Sequence, residues 1–370
     1  MKSITRALAL AGAGALTLAA CGSAPEETAG GDSDAGGGAA SDYKACMVSD
    51  AGGWDDKSFN ESSYNGLLNA EKDLGVQKQT AESTTVSDFE PNINNMVTEG
   101  CDLIITVGFL LAPATGKAAQ ANPDTDFAIV DSTAQDADGN PIELENVKPL
   151  EFDTAQAAFL AGYLAAGTTE TGKVATYGGV NIPTVTIFMD GFVDGVAHYN
   201  ETHGTEVEAL GWNKDSQEGS FTGDFKNVAN GKTNTANFIN EGADIVMPVA
   251  GPVGLGTLDA VREANQGGKD VKVIWPDSDG YESTKDGNLI LTSVKKNMGQ
   301  SVSDVIAADL KDEFSAEPYV GTLENKGVEL APFHDFEDTV PQELKDELKD
   351  LEAKIVSGEL KVGSEYSPEA

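Results

Sequence analysis

The sequence predicts an α/β protein with parallel sheets, and two observations support this class. Short apolar runs alternate with helical apolar patterns from residue 45 to residue 310, which is the order of strands joined by crossover helices. The same alternation starts again near residue 156, so that two similar halves follow one another. Because 370 residues are enough for two domains of ordinary size, we expect two α/β lobes.

The first 42 residues carry targeting and linker signals. Lys2 and Arg6 precede an apolar stretch at 7–18, and the sequence Leu-Ala-Ala-Cys-Gly follows, with its cysteine at position 21. This pattern resembles a bacterial lipoprotein signal, and the alternative is a plain secretory signal with a chance cysteine. The resemblance implies a signal peptide at 1–20 and acylation of Cys21, with the protein anchored at the extracytoplasmic face of the cell membrane. Residues 21–42 are rich in small and acidic residues and predict a flexible tether.

The first half contains five predicted strands and three predicted helices. Each strand is a short apolar run, and each helix repeats apolar residues at a spacing of three or four, as Phe89, Ile93 and Met96 do. The predicted strands cover residues 45–48, 76–83 (a weak pattern), 103–107, 127–130 and 147–152. The predicted helices cover residues 62–74, 88–99 and 112–122.

The second half repeats the pattern and ends in an additional helix. The predicted strands cover residues 173–177, 205–210, 245–249, 271–275 and 289–294. The predicted helices cover residues 156–166, 185–199, 233–241, 256–265 and 299–310. For the last helix, Thr339 followed by Gln342 indicates an N-terminal cap, and Gly358 indicates the end.

Composition and charge exclude some partners. The chain has 24 Lys and Arg against 61 Asp and Glu, a formal net charge of −37. Binding to nucleic acid requires basic patches that neutralise phosphates, so no nucleic-acid partner is expected. Beyond Cys21, the cysteines are Cys46 and Cys101, each at the start of a predicted strand. They are either buried thiols or partners in a disulfide, and the sequence leaves both alternatives open.

Glycine or aspartate follows six of the predicted strands. Ligands of parallel sheets bind beyond the carboxyl ends of the strands, so these residues predict one shared cleft. They are Asp50, Gly108, Asp131, Gly178, Gly251 and Asp277.

Aromatic residues in predicted polar loops accompany these strand ends. Phe59 and Phe225 lie one in each half, and Trp54 lies near Phe59. Two facing rings can stack on a planar ligand, a contact worth roughly 1–3 kcal/mol per ring by analogy with nucleic-acid bases. The alternative is that these rings pack against the core, as aromatic residues usually do.

The sequence predicts neither a metal site, a cofactor nor a catalytic centre. His198 and His203 are five positions apart and therefore lie on different faces of a helix. Residues 136–140 begin like a calcium loop, but Pro141 occupies the position of the required glycine. There is no phosphate-binding Gly-x-x-x-x-Gly-Lys-Ser/Thr motif and no Gly-x-Ser-x-Gly motif. A pair of carboxylates for glycoside cleavage remains possible because aspartates are abundant.

A set of motifs resembles one known family. Residues 48–60 read Val-Ser-Asp-Ala-Gly-Gly-Trp-Asp-Asp-Lys-Ser-Phe-Asn, which is similar to the signature of the basic membrane protein family of ABC-transporter substrate-binding lipoproteins. That family includes a purine nucleoside receptor. Further matching stretches follow in order at 159–166, 191–196, 242–251, 277–279 and 291–296. The resemblance covers residues 44–362.

The resemblance implies a fold and a division into lobes. The implied fold is the type I periplasmic-binding-protein fold, with two Rossmann-like lobes, a hinge and three chain crossings between the lobes. The N-terminal lobe would comprise residues 43–153 and about 278–305, and the C-terminal lobe residues 154–277 and about 306–362.

The resemblance also implies a set of ligand-binding residues. Phe59 and Phe225 match the residues that stack on the base, although Trp212 and Phe221 compete with Phe225 for this role. Asn60 and Asp131 match positions that contact the base or line the cleft. The ribose side would be formed by Asp50, Gly251 and Asp277, and Lys296 matches the lysine of the last strand motif.

The expected function is capture of a nucleoside, with purine nucleosides favoured, and its delivery to an ABC permease. The permease and its ATPase would be separate chains, and the protein itself would not be an enzyme. Two alternatives stay open: an extracytoplasmic hydrolase of nucleosides or glycosides, and a ligand sensor without a role in transport.

Overall fold

The computed structural model describes residues 42–368, and most of its strands belong to two six-stranded sheets. The predicted signal peptide at 1–20, Cys21 and the tether up to residue 41 lie outside the described residues. The strands of the first sheet are β1 (Lys44–Ser49), β2 (Gln77–Ala81), β3 (Leu103–Val107), β4 (Asp126–Val130), β5 (Val147–Phe152) and β13 (Tyr319–Gly321). Those of the second sheet are β6 (Lys173–Gly178), β7 (Glu208–Leu210), β10 (Ile245–Val249), β11 (Lys272–Asp277), β12 (Ile290–Lys296) and β14 (Val328–Leu330).

Helices connect the parallel strands of each sheet. The first lobe contains α1 (Phe59–Leu74), α2 (Phe89–Thr98), α3 (Ala112–Ala121) and α9 (Met298–Asp309), which packs against α1. The second lobe contains α4 (Thr154–Thr168), α5 (Pro183–His203), α6 (Val228–Glu241), α7 (Gly254–Gln266), the short α8 (Gly280–Ser283) and α10 (Gln342–Val356). Within the described residues, no helix is both long and apolar enough to cross a membrane.

The two sheets have corresponding strand orders. The first is ordered β13-β5-β4-β3-β1-β2 and the second β14-β12-β11-β10-β6-β7. Within the first sheet all pairs are parallel, whereas β14 runs antiparallel to β12 in the second. The α/β class with mainly parallel sheets is therefore confirmed. Strands β4 and β11 are each third in the order of their sheet. The residues at their carboxyl ends therefore occupy corresponding positions in the two lobes.

Buried apolar runs explain the central strands. Strands β3 and β10 are buried along their whole length, as parallel strands with helices on both faces must be. Cys46 in β1 and Cys101 before β3 form a disulfide within the first lobe. Of the two alternatives that the sequence left open, the structure therefore has the disulfide.

Three chain crossings connect the lobes, as the resemblance implied. They follow β5, β12 and β13. The predicted lobe boundaries are wrong at two strands. The prediction assigns residues 278–305 to the N-terminal lobe, but β12 pairs with β11 in the second sheet, and the chain crosses only at Asn297. It assigns residues 306–362 to the C-terminal lobe, but β13 pairs with β5 of the first sheet. A short edge strand of three residues carries too little apolar periodicity to be recognised.

Two local predictions also differ from the structure, and one hairpin was not predicted. Phe59 is the first residue of α1 rather than part of a loop. Residues 211–223 contain a two-stranded hairpin of β8 (Trp212–Asn213) and β9 (Glu218–Gly219). Thr339 does not cap the last helix, because its hydroxyl donates to the carbonyl oxygen of Phe336 and α10 begins at Gln342. Gly358 lies just beyond this helix with a φ of 75°, as a terminating glycine does.

Candidate functional site

All eight residues predicted to bind ligand line one cleft between the two sheets. They are Asp50, Phe59, Asn60, Asp131, Phe225, Gly251, Asp277 and Lys296. The cleft encloses about 540 Å³, including the part of its mouth that is open to solvent. This volume lies within the range of pockets that bind small molecules.

The carboxyl ends of the strands supply most of these residues. Asp50 follows β1 and Asp131 follows β4 in the first lobe, while Gly251 lies just after β10 and Asp277 ends β11 in the second. Asp131 and Asp277 have positive φ values of 63° and 68°, a conformation that is uncommon outside glycine. Two aspartates at corresponding strand ends therefore share the same unusual backbone, and such conformations occur often at binding sites.

Asp50 and Asn60 form one polar pair of the first lobe. The side-chain nitrogen of Asn60 donates to Asp50 Oδ1 at 2.9 Å, and the amide of Gly52 donates to the same oxygen at 3.2 Å. The Oδ1 atom of Asn60 is buried and has no hydrogen-bond partner among the described residues. Burial raises the pKa of Asp50, although the bonds from Asn60 and Gly52 act in the opposite direction. A ligand that brings hydrogen-bond donors to this pair would satisfy it.

Lys296 forms a second polar group with two aspartates, one from each lobe. Its Nζ lies 2.6 Å from Asp131 Oδ2 and 3.6 Å from Asp277 Oδ1. Ser58 of the first lobe donates to the other carboxylate oxygen of Asp277 at 2.7 Å. Burial raises the pKa of Asp131, an effect that Lys296 opposes and Asp277 increases. The group thus offers both hydrogen-bond acceptors and a charged donor, which suits the hydroxyl groups of a sugar.

Aromatic rings surround the ammonium group of Lys296. Its Nζ lies 5.0 Å from the ring centre of Phe188, 5.1 Å from that of Phe59 and 5.9 Å from that of Phe152. The side chain is only 1% exposed. Cation–π contacts of this kind are strengthened by the exclusion of water.

The two predicted stacking rings pack against glycines. A Cβ atom on Gly108 would lie 3.4 Å from the ring of Phe59, and one on Gly179 would lie 2.3 Å from the ring of Phe225. Only glycine leaves room for the Phe225 ring beside residue 179. The glycines therefore set how far each ring stands from its sheet.

The competing aromatic residues do not line the cleft. Trp212 is buried, donates to Asp190 and packs edge-on against Phe221. Trp54 stacks on Tyr64 with the ring centres 5.0 Å apart. Phe225 is thus the aromatic residue that the hairpin region contributes to the cleft.

Several residues that line the cleft are not predicted from the sequence. Among them are Asp56, Phe109, Thr184 and Phe188. Asp56 lies within the first motif, and its side chain accepts from the amides at positions 58, 60 and 61, so it holds the start of α1. Burial raises its pKa to about 7 even though these hydrogen bonds act against the shift. Phe188 lies on a helix whose apolar residues are mostly core, so no sequence signal distinguished it.

The described residues do not form a metal centre. None of their His, Cys, Asp and Glu side chains form a group of three or more that could hold a metal ion. The geometry of the cleft instead suits reversible binding of a small polar ligand with a flat portion. Two phenylalanine rings line the cleft, Asp50 and Asn60 form an acceptor-rich pair, and Lys296 joins aspartates of both lobes.

Known proteins resemble the chain over nearly its whole length. A family model described as "ABC transporter substrate-binding protein PnrA-like" matches residues 43–365. The ABC transporter nucleoside-binding protein BmpA of Lactococcus lactis is 30% identical, with 87% of this chain and 90% of the relative covered. Basic membrane protein A of Borreliella burgdorferi is 27% identical, with 87% and 88% covered.

A solved structure shows the same fold. It is a solute-binding protein of an ABC transporter system from Aeropyrum pernix, with a TM-score of 0.78 and 24% identity. The match covers 89% of this chain and 94% of the solved one. The fold is therefore that of the periplasmic solute-binding proteins.

Proposed function

The chain belongs to the Bmp family of PnrA-like ABC-transporter substrate-binding proteins, and from this premise we propose that it binds a purine nucleoside in the cleft between its lobes. The observation that carries the proposal is that all eight residues inferred from the family motifs line one cleft. The relative from Lactococcus lactis, which is named a nucleoside-binding protein, supports the same ligand class.

The motif matches suggest which part of the nucleoside each residue binds. Asn60 and Asp131 are assigned to the base or to the cleft beside it, and Asp50, Gly251 and Asp277 are assigned to the ribose side. Hydrogen bonds join the two sets of residues, because Asn60 donates to Asp50 and Lys296 donates to Asp131.

The proposed mechanism is closure of the lobes on the ligand. Lys226 of the second lobe donates to the backbone oxygen of Thr84 in the first, near the mouth. Trp275 of the second lobe donates to the backbone oxygen of Lys57 at 3.0 Å. A ligand that contacts both lobes stabilises the arrangement in which these bonds form, by its differential affinity for the two states.

The proposal includes a membrane anchor and transport partners. A lipid on Cys21 would hold the protein at the extracytoplasmic face, and the loaded protein would deliver its ligand to a permease driven by separate ATPase chains. Mass spectrometry of the mature N-terminus tests the anchor. An unmodified N-terminus on membrane-free protein would contradict it.

A thermal-shift panel tests the proposed ligand. Purine nucleosides should raise the melting temperature, while free sugars should not, because only the nucleoside occupies both the ring pair and the polar groups. Phe59→Ala should abolish the shift, and the control Phe221→Ala should keep it, because Phe221 packs against Trp212 outside the cleft. An equal shift in wild type and Phe59→Ala would contradict the stacking role.

Incubation with nucleosides separates binding from hydrolysis. We expect the nucleoside to be recovered unchanged by chromatography after prolonged incubation. Release of free base would favour the hydrolase alternative.

A further inference from the structure

The stretch of the first lobe that carries Phe59 and Asn60 has contacts on two sides. Both of these residues line the cleft. Two positions earlier in the chain, the backbone oxygen of Lys57 accepts a hydrogen bond from Trp275 Nε1 of the second lobe at 3.0 Å. Only a few backbone bonds separate this oxygen from the ring and the amide in the cleft. A contact made outside the cleft can therefore set where Phe59 and Asn60 lie.

The Lys57 oxygen receives hydrogen bonds from three side chains of the second lobe. Besides Trp275 in β11, they are Ser278 in the turn after this strand, at 2.9 Å, and Ser283 in α8, at 3.1 Å. The two serine oxygens also lie 3.1 Å from each other. A carbonyl oxygen has two lone pairs, so these donors fully occupy it. The second lobe thus fixes the direction of one peptide group of the first.

The backbone of Lys57 depends on contacts of this kind. Its φ is 61°, in the left-handed region that side chains other than glycine rarely adopt. Such a conformation persists only where the surroundings fix it. On the side of the first lobe, the carboxylate of Asp56 accepts from the amides of Ser58, Asn60 and Glu61. On the other side, the second lobe holds the Lys57 oxygen, so the turn before α1 is fixed from both lobes.

Trp275 is a rigid donor. Its side chain is fully buried. A Cβ atom on Gly280 would lie 2.5 Å from its Cγ, and one on Gly254 would lie 3.2 Å from its Cη2, so both glycines pack directly against the ring. The ring therefore has little freedom to tilt, and its N–H group keeps one direction relative to the second lobe. Trp275 is not among the residues that line the cleft.

We propose that Trp275 is a positioning residue for ligand binding, which acts from outside the cleft. It holds the Lys57 peptide group and thereby places Phe59 and Asn60 for the nucleoside. The inference rests on the proposed function, because the placement of these two residues affects affinity only through their contacts with the ligand. It assigns part of the affinity to a buried side chain in the lobe opposite the one that carries the ring and the amide.

Calorimetric titration of the full mature protein with adenosine and with inosine tests the proposal. Trp275→Phe removes the N–H group and keeps an aromatic ring in the same place. We expect Kd to rise about threefold to tenfold for both nucleosides, the range that the net contribution of one hydrogen bond gives. The space left by the smaller ring is present in the free and in the bound protein, so it does not change Kd by itself.

Trp212→Phe is the matched control. It also removes one indole N–H group, but this group donates to Asp190 at 2.8 Å within the second lobe. The variant should lower the melting temperature of the ligand-free protein, because the Asp190 carboxylate is buried and loses a donor. Its Kd for both nucleosides should stay as in wild type, because its bond does not reach the first lobe.

Ser283→Ala is a second variant, and it leaves the buried ring of Trp275 in place. It removes another donor to the Lys57 oxygen and should also raise Kd. The increase should be larger in the Trp275→Phe background, because fewer donors then remain for the same oxygen. Circular dichroism verifies that each variant is folded.

The outcomes separate this inference from the proposed function. If wild type binds a nucleoside but Trp275→Phe and Ser283→Ala both keep its Kd, the positioning role is wrong and the nucleoside site stands. Equal increases for Trp275→Phe and Trp212→Phe overturn it as well, because the effect would then not depend on the bond between the lobes. If neither adenosine nor inosine binds to wild type, the proposed function fails and the positioning role fails with it.

Discussion

Lys296→Met replaces the ammonium group between Asp131 and Asp277 with an apolar side chain of similar length. The wild-type Nζ lies 2.6 Å from one carboxylate and 3.6 Å from the other, and the lysine side chain is 1% exposed. Removing one partner of a buried ion pair costs about 3–5 kcal/mol, because the charge left behind has lost its compensation. We therefore expect the free energy of unfolding to fall by about this amount, a large part of the total stability of a typical domain.

Urea denaturation of the ligand-free protein measures this loss, and the neighbouring lysine is the matched control. Lys295 pairs with Glu329 at 2.6 Å, but the two side chains are 26% and 35% exposed. Exposed pairs of this kind contribute about 0–1 kcal/mol, so Lys295→Met should change stability little. Adding Asp131→Asn to Lys296→Met should recover part of the loss, because one uncompensated charge is then removed.

The loss in Lys296→Met should also depend on pH with a defined sign. Without the lysine, the pKa of Asp131 in the folded state rises further above that of the unfolded chain. A carboxyl group with a raised folded pKa loses its contribution to stability as pH increases through that pKa. The deficit should therefore be largest near neutral pH and smaller in acid. Equal losses for the two lysine variants, or a deficit that does not change with pH, would refute the reasoning.

Three further predictions concern other parts of the molecule. Gly179→Ala should leave the protein folded but lower its affinity for the nucleoside at least about tenfold, as measured by calorimetry. The new Cβ would lie 2.3 Å from the Phe225 ring and displace that ring from the cleft. An unchanged affinity would contradict this prediction. Burial raises the pKa of Asp309 to about 6, so its contribution to stability is present below about pH 4 and is lost as pH rises through about 6. In wild type the melting temperature should therefore fall between about pH 4 and about pH 6, and Asp309→Asn should reduce this fall. If the melting temperature of the variant depends on pH as that of wild type does, the raised pKa of Asp309 is contradicted. Replacing both Cys46 and Cys101 by alanine should lower the free energy of unfolding by about 4 kcal/mol for a loop closed at a separation of 55 residues, and an unchanged urea midpoint would argue otherwise.

Local sequence patterns determined the fold class and the membership of the cleft. Apolar runs followed by aspartate or glycine identified the carboxyl ends of the strands, and in parallel sheets these ends lie at one edge. Five of the six strand-end residues line the cavity, among them Asp50, Asp131 and Asp277, whereas Gly178 does not line it. The family motifs then added Asn60 and Lys296, and both line the same cavity.

The tertiary structure decided which of these residues contact one another. Asp131 and Lys296 are 165 positions apart, and their contact depends on the crossing of the chain after β12, which no local pattern encodes. For the same reason the predicted lobe boundary failed at β12 and β13. Periodicity reports which face of an element is buried, but the partner on that face is set by long-range packing.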